Sequence, residues 1–255
     1  MLDLHVAARP HVTPRSRPAD VGVVDVPASR DRDALPAPAT GRDAVGVRDA
    51  KVGGTAGPFE RLLGCEAWSR LDADVRRRFN HAPVDDHPTL YAGTVTCTEL
   101  SRAGRLLARL AAIIGTPLPE TDGATGPASV SVSNAPSLGG QVWTRVYGRD
   151  GRFPQVVHSV KRFAGPTGLE EYVGRGIGMT LRVTVERGAL VFSSVRYFLE
   201  WPRFAIRLYL PRWAEPGRMR IVHHPITGRT FRFTLDLEHR AFGHLIHQDC
   251  IFTEV

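Results

Sequence analysis

Long apolar segments are missing from this 255-residue sequence. It has no run of about 18 uncharged apolar residues, the length that a transmembrane helix requires. Residues 1–26 carry Arg, Pro and Asp where a secretory signal peptide needs an unbroken apolar stretch. We therefore expect a cytoplasmic protein without a membrane partner.

Several chemical motifs are also missing. The three cysteines, Cys65, Cys97 and Cys250, are far apart and form no Cys-x-x-Cys pair, which argues against a disulfide framework and against a zinc ribbon. The sequence has no Gly-x-Ser-x-Gly, no His-Glu-x-x-His and no Walker A motif. Acyl transfer by the usual serine motif is therefore disfavoured, and no cofactor is predicted.

Lysine is scarce, because only Lys51 and Lys161 occur among 33 basic residues and arginine supplies the others. The formal net charge is +7, and residues 1–57 hold eight basic residues and seven Asp, which leaves +6 for the remainder. The arginines of that remainder are spread over predicted strands, and no helix-turn-helix, zinc-finger or RNP-type motif accompanies them. We therefore predict no nucleic-acid partner.

Aromatic residues are absent from residues 1–57, which contain six prolines among Arg, Asp, Ala and Val. Such a segment has too little apolar surface to offset about 1–2 kcal/mol of backbone entropy for each ordered residue. The sequence therefore predicts a disordered arm at 1–57, followed by a single α+β domain at 58–255.

Two regions of the predicted domain have helical periodicity. Apolar residues recur at spacings of three and four from Phe59 to Phe79, which predicts one helix or a pair of short helices. A second helix is predicted from Ser101, a favourable N-cap residue, to a stop at Gly115 and Pro117.

Alternating and β-branched sequences predict about ten strands. Their ranges are Leu90–Leu100, Ser129–Ser133, Gln141–Tyr147, Gln155–Phe163, Gly178–Glu186, Ala189–Leu199, Ala205–Leu210, Met219–Pro225, Arg229–Glu238 and Gly243–Phe252. Short turns join several of them, so we expect antiparallel pairing. A sheet of this size must curl or close, and the predicted fold is α+β, a strongly curled sheet or barrel with two or three helices packed on it.

The segment Gly174–Gly178, with the sequence Gly-Arg-Gly-Ile-Gly, superficially resembles a phosphate-binding loop. A dinucleotide-binding loop requires a helix after its glycines, whereas a predicted strand follows this segment. A bulge or a sharp bend between two strands is the favoured interpretation.

Histidines are concentrated near the end of the chain. Five of the ten are His223, His224, His239, His244 and His247. A zinc site needs three or four convergent ligands, but His244 and His247 are three residues apart and point to opposite sides of a strand. No metal site is predicted. His239 continues the apolar face of Phe231 and Phe233, where a buried histidine must find a hydrogen-bond partner.

Polar residues interrupt the apolar faces of other strands. Arg145 shares a face with Trp143 and Tyr147, His158 shares one with Val156 and Val160, and Arg196 shares one with Phe192 and Phe198. If these faces line a cavity, their polar groups are typical of a small-molecule site that favours a carboxylate, an enolate or a phosphate. The alternative is that the arginine faces are solvent-exposed and their aliphatic stems cover the sheet.

Short motifs run through the predicted domain in a recognisable order. They are Trp143-x-Arg145, Glu170, Gly174–Gly178, Phe192-Ser193-Ser194, Leu210-Pro211-x-Trp213, Phe231-x-Phe233, and His239 with Phe242-Gly243. The series resembles an uncharacterised bacterial family, domain of unknown function 4166, whose members are often fused to saccharopine-dehydrogenase-like or short-chain-reductase-like domains. The resemblance implies the fold and a reductase context, and it brings no established catalytic residues.

The leading functional hypothesis is a curled sheet that binds a small apolar or anionic metabolite. Its candidate ligand-binding residues are Arg145, Tyr147, Glu170 and Arg196. If the domain is an enzyme, we expect a cofactor-free isomerase or cyclase with His158 or His239 as the proton carrier. The alternative hypothesis is a non-catalytic interaction module that docks on a reductase-like enzyme, by analogy with the fusions of the resembling family.

Overall fold

A computed structural model describes residues 56–80, 88–113, 118–119, 123–174, 176–201 and 206–255. The predicted arm at 1–57 lies outside these residues, except for its last two positions. All of the described residues belong to one compact unit, Val52–Val255.

The described residues form four short α-helices, one 3-10 turn (Pro136–Leu138) and eleven strands. The helices are α1 (Pro58–Leu63), α2 (Cys65–Ser69), α3 (Ala73–Asn80) and α4 (Arg102–Ile113). The strands are β1 (Thr89–Leu100), β2 (Gly126–Ala135), β3 (Gly140–Tyr147), β4 (Gln155–Arg162), β5 (Glu170–Gly174), β6 (Ile177–Glu186), β7 (Ala189–Trp201), β8 (Ile206–Tyr209), β9 (Arg218–Thr227), β10 (Thr230–His239) and β11 (Gly243–Glu254).

The first helical region is divided into three helices, α1 to α3, although its apolar periodicity is continuous. Gly64 separates α1 from α2 with a φ of 78°, a left-handed backbone that favours glycine. Asp72 then precedes α3, and its Oδ1 accepts a hydrogen bond from the Asp74 amide at 2.8 Å, as a capping residue does. The apolar face is nevertheless buried along its length, from Phe59 to Phe79.

The second predicted helix is α4, and Ser101 caps it by accepting a hydrogen bond from the Gly104 amide at 3.1 Å. The side of α4 that packs on the barrel is not formed by its largest apolar residues. The buried residues of α4 are the small ones, Gly104, Ala108 and Ala111, because the helix lies close to the β11 backbone. The larger Leu106 and Leu110 remain exposed.

The strands form one antiparallel sheet that closes on itself. Ten of them follow the order β6-β5-β4-β3-β2-β1-β11-β10-β9-β7, and β7 pairs again with β6 from Ala189 to Leu199. The short strand β8 pairs with the far end of β7, outside the ring. The predicted curled sheet or barrel of about ten strands is therefore confirmed, and closure removes the exposed edges that an open sheet would have.

Sequence reasoning missed β5, a strand of five residues that begins with two glutamates, a residue type depleted in strands. β5 and β6 are joined through the glycine-rich segment, where the pairing register shifts between Tyr172 and Gly174. Gly174 and Gly176 both have positive φ angles, 133° and 77°. This segment is a bend between two strands, as the sequence predicts.

One end of the barrel is filled by an aromatic core around His223. The imidazole of this residue, which is 4% exposed, lies 5.1–6.4 Å from five aromatic rings. These rings belong to Phe79, Trp143, Phe192, Phe231 and Phe233. Burial, together with the nearby charges of Arg78 and Lys161, lowers the pKa of His223 well below its ordinary value. His223 is therefore neutral in the folded protein at neutral pH.

None of the helices in the described part of the chain has the length and apolar character needed to cross a membrane.

The buried His223 makes stability depend on pH. In the unfolded chain a histidine binds a proton below about pH 6.5, whereas folded His223 does not, so the free energy of unfolding falls as the pH falls. This one group contributes a loss that approaches about 1.4 kcal/mol for each pH unit. Urea unfolding at about pH 7.5 and about pH 5.5 measures this loss, which His223→Leu should reduce.

The matched control is His158→Gln, because His158 is exposed and no similar loss is expected from it. The other titrating groups are present in all three proteins, so we compare the change in the free energy of unfolding between the two pH values, and not its absolute value. An equal loss of stability in wild type, His158→Gln and His223→Leu would contradict a neutral buried His223.

Candidate functional site

The opposite end of the barrel contains a cavity of about 340 Å³. Seven strands, β3 to β7, β9 and β10, contribute most of its wall, and β11 adds one residue. Apolar wall residues include Val157, Val173, Ile177, Met179, Leu199, Met219, Ile221, Phe233, Leu235 and Leu237. The cavity is thus a mostly apolar space between the aromatic core and the barrel end near α4.

Three segments outside the barrel wall border the cavity. Helix α4 contributes Leu107, Leu110 and Ala111, the segment after β8 contributes Leu210, Ala214 and Pro216, and Leu118 and Pro119 lie in the connection between α4 and β2. Leu110 lines the cavity and is also 52% exposed to solvent. The side chains of α4 therefore border the connection between the cavity and the surface.

A polar strip lies on the wall where three neighbouring strands run side by side. It consists of Arg145 on β3, Ser159 on β4 and Glu171 on β5, all buried and all lining the cavity. Nη1 of Arg145 donates a hydrogen bond to Oγ of Ser159 at 3.1 Å. Nη2 of Arg145 lies 3.7 Å from Oε1 of Glu171, which is an ion pair beyond hydrogen-bond distance.

Lys161 completes this charged cluster from within the barrel wall. It lies directly opposite Glu171 in the β4–β5 pairing, and its Nζ donates a hydrogen bond to Oε1 of Glu171 at 2.8 Å. The two side chains are 3% and 4% exposed. The same Nζ lies 4.7 Å from the ring centroid of Trp143, close enough for a cation–π contact.

The cluster changes the titration of both partners. Burial lowers the pKa of Lys161, and the contact with Glu171 opposes this effect only in part. Burial by itself raises the pKa of Glu171, but the charges of Lys161 and Arg145 outweigh it and the resulting pKa lies below its ordinary value. Glu171 is therefore an ionised carboxylate and a weak base, which suits binding better than proton abstraction.

Neutral polar groups also line the cavity. They belong to Tyr147, Tyr197 and Gln248. Burial raises the pKa of Tyr197 to about 12 and also raises that of Tyr147. Both phenols therefore keep their protons at neutral pH and add no charge to the wall.

The structure brings two of the predicted site residues, Arg145 and Tyr147, together on the cavity wall. His158 lies on the opposite face of β4 from Ser159 and Lys161 and is exposed. Its Nδ1 is 3.0 Å from Oγ1 of Thr144. The alternation of side chains on β4 is therefore as predicted. The face that points into the barrel is the one with Ser159 and Lys161, not the one with His158.

Arg196 is not among the cavity-lining residues that the structure describes. Its Nη2 donates to the carbonyl of Leu210 at 3.2 Å, its Nε lies 3.4 Å from Oε1 of Glu215, and its guanidinium lies over the ring of Tyr209. Arg196 thus holds the segment after β8 against β7.

Glu170 is fully buried, on the face of β5 opposite Glu171. It forms two hydrogen bonds with Arg207 of β8, at 2.5 and 3.1 Å, and accepts one from Tyr172 at 3.2 Å. These contacts attach β8 to the outer surface of the barrel, away from the cavity.

His239 lies at the end of the β10–β11 hairpin. Its Nδ1 accepts a hydrogen bond from the Ala241 amide at 3.1 Å, and its ring stacks on Phe242 at 4.9 Å. The pairing register shifts between Leu237 and Glu238, just before this residue. His239 is therefore partly exposed at the hairpin instead of buried on the apolar face of β10, and it does not line the cavity.

Sequence reasoning missed Lys161 and Glu171. A signal for Lys161 was present, because it is one of only two lysines and has the parity opposite to His158 on the same strand. Glu171 gave no comparable signal, since it lies on the strand that was not predicted.

Metal ligands do not cluster in the described ranges: no three His, Cys, Asp or Glu side chains there are placed to hold an ion. His247 contacts carboxylates instead, with its Nδ1 2.6 Å from Oδ1 of Asp236.

Comparison with known families finds one whose description is "Domain of unknown function (DUF4166)", matched over residues 71–252. The matched region spans α3 to β11 and so includes the whole barrel wall. A search of curated proteins finds no match. The family suggested by the order of motifs is confirmed, while its bacterial occurrence and its fusions with reductase-like domains stay predictions.

The Lys161–Glu171 pair predicts a large effect on stability. Lys161→Met leaves the Glu171 carboxylate buried without its hydrogen-bonded cation, and we expect the free energy of unfolding to fall by about 3–5 kcal/mol. The double variant Lys161→Met/Glu171→Met should be less destabilised, because it buries no unpaired carboxylate. Urea denaturation measures both.

The exposed ion pair of Arg220 and Glu186, at 2.6 Å, provides the matched control. Arg220→Met should cost no more than about 1 kcal/mol, because solvent screens this pair. If Lys161→Met cost no more than Arg220→Met, the charged cluster would have no special role in stability.

Proposed function

The chain belongs to the family described as a domain of unknown function (DUF4166), and we propose that its barrel binds a small, largely apolar molecule in the cavity beside the polar strip. The observation that carries this proposal is the cavity itself. Its volume of about 340 Å³ lies within the range of about 300–1,000 Å³ that is common for ligand pockets, and its wall is mainly apolar with a few convergent polar groups.

The size of the barrel supports this proposal. A closed sheet of about eight strands is just wide enough for side chains to fill or for one small ligand, and the diameter grows with the number of strands. With ten strands, the aromatic residues around His223 fill one end, while shorter side chains such as Val157 and Val173 line the other. The space at that end is a consequence of residue size as well as of strand number.

The surroundings of α4 supply a route of entry. Leu110 is exposed and lines the cavity, and Leu106 and Ile113 are exposed on the same helix. An apolar molecule that leaves water near these residues passes onto the apolar wall of the cavity. The polar strip is then reached last, and it fixes the orientation of the bound molecule.

Binding can be tested by blocking the cavity with Val173→Trp. The larger side chain should occupy the space and weaken binding of the neutral fluorescent probe N-phenylnaphthylamine by about tenfold or more, which is about 1.4 kcal/mol. Fluorescence titration measures the dissociation constant, and native mass spectrometry of the purified wild-type protein would detect a small molecule that co-purifies with it.

Val156→Trp is the matched control, because Val156 lies on the exposed face of β4 and its substitution leaves the cavity unchanged. Thermal unfolding shows whether each variant is folded. Equal affinity of the probe for wild type and for both variants would show that it binds elsewhere, and no binding to wild type together with no co-purified molecule would overturn the proposed function.

A further inference from the structure

We propose that the bound molecule carries one negative charge, a carboxylate, which Arg145 receives at the polar strip. This inference rests on the proposed function and specifies the chemical class of its ligand. Its basis is the balance of charge among the side chains that the barrel buries.

Three charged side chains of the described residues are buried inside the barrel wall, Arg145, Lys161 and Glu171. Two of them are cations and one is an anion, so this cluster beside the cavity holds a formal excess of one positive charge. The guanidinium of Arg78 lies elsewhere, over the ring of Phe231 in the aromatic core. The other buried carboxylates, Glu170 and Asp249, are paired with Arg207 and Arg232 on outward faces. They do not neutralise the interior.

Glu171 pairs mainly with Lys161. Its Oε1 accepts the hydrogen bond from Nζ of Lys161 at 2.8 Å, whereas Nη2 of Arg145 is 3.7 Å away. Arg145 is therefore the cation that has the weaker pairing, and it is also the one that lines the cavity. An uncompensated buried charge is costly, and an anion in the cavity would reduce this cost.

The geometry of Arg145 suits a carboxylate. A guanidinium has five N–H donors in a planar fork, and the hydrogen bond to Ser159 uses one of them. The fork can hold two carboxylate oxygens at once. Tyr147 and Tyr197 line the same cavity, and their phenols stay protonated at neutral pH, so neither adds a negative charge that would repel a carboxylate.

The charge balance also distinguishes anions from one another. A carboxylate neutralises the excess of one positive charge, whereas a phosphate monoester with about two negative charges would leave an excess negative charge in an apolar interior. A neutral alcohol of the same chain length fills the same apolar space and leaves Arg145 without a counter-ion.

The test is displacement of N-phenylnaphthylamine from the full chain by four compounds with the same alkyl chain: decanoate, decanol, decyl phosphate and decylamine. We expect decanoate to bind about 10- to 100-fold more tightly than decanol, which corresponds to one hydrogen-bonded charge. Decyl phosphate should bind more weakly than decanoate, and decylamine should bind most weakly.

Arg145→Gln should abolish the preference for decanoate over decanol, because the neutral amide cannot neutralise the carboxylate. Arg145→Lys, which retains the charge, should keep part of the preference. Arg182→Gln is the control, because it removes an exposed arginine from β6 and changes the net charge of the chain equally.

The outcomes separate the two proposals. If decanol displaces the probe as well as decanoate does, or if Arg145→Gln keeps the preference, the carboxylate inference is wrong while binding in the cavity stands. If decyl phosphate binds more tightly than decanoate, the interior accepts a dianion and the charge balance is wrong. If no compound displaces the probe from wild type, the proposed function itself fails. If Arg145→Gln does not fold, the order of affinities of the four compounds for the wild-type protein still tests the carboxylate inference.

Discussion

The backbone pairing between β6 and β7 closes the sheet, and the rest of the structure depends on this closure. Because β7 also pairs with β9, it connects the two halves of the sheet into a ring of ten strands. In a closed ring each strand has one face toward the interior and one toward the outside. Strand parity then decides whether a side chain faces the cavity, the aromatic core or solvent, and the same residue type has different contacts on each face.

Adjacent residues on β4 and β5 illustrate the consequence. His158 and Ser159 are neighbours in sequence, yet the first is exposed and the second lines the cavity. Glu170 and Glu171 are likewise neighbours, but Glu170 attaches β8 through Arg207 on the outside, while Glu171 pairs with Lys161 on the inside. The barrel thus uses two buried glutamates for two purposes, one of them structural and the other part of the candidate site.

The two ends of the barrel interior are filled differently. Large aromatic residues surround His223 at one end, and shorter aliphatic residues leave a cavity at the other. The buried charges lie between them, on β3 to β5. A buried ion pair is costly to assemble and contributes little net stability compared with apolar packing, so stability alone does not account for its presence in the wall. The excess of one positive charge is the basis of the carboxylate inference.

The sequence by itself determined ten of the eleven strands, the capped helix at Ser101, the bend in the glycine-rich segment and the closed or curled form of the sheet, because these depend on local periodicity, turn chemistry and strand number. The sequence also identified Arg145 and Tyr147 as candidate site residues, because they share one face of β3 with Trp143. Only the tertiary structure decided which face of each strand is inside, and it added Lys161 and Glu171 to Arg145 in the candidate site. Parity divides a strand into two faces without saying which one is buried, and that choice is made by pairings between residues far apart in the chain.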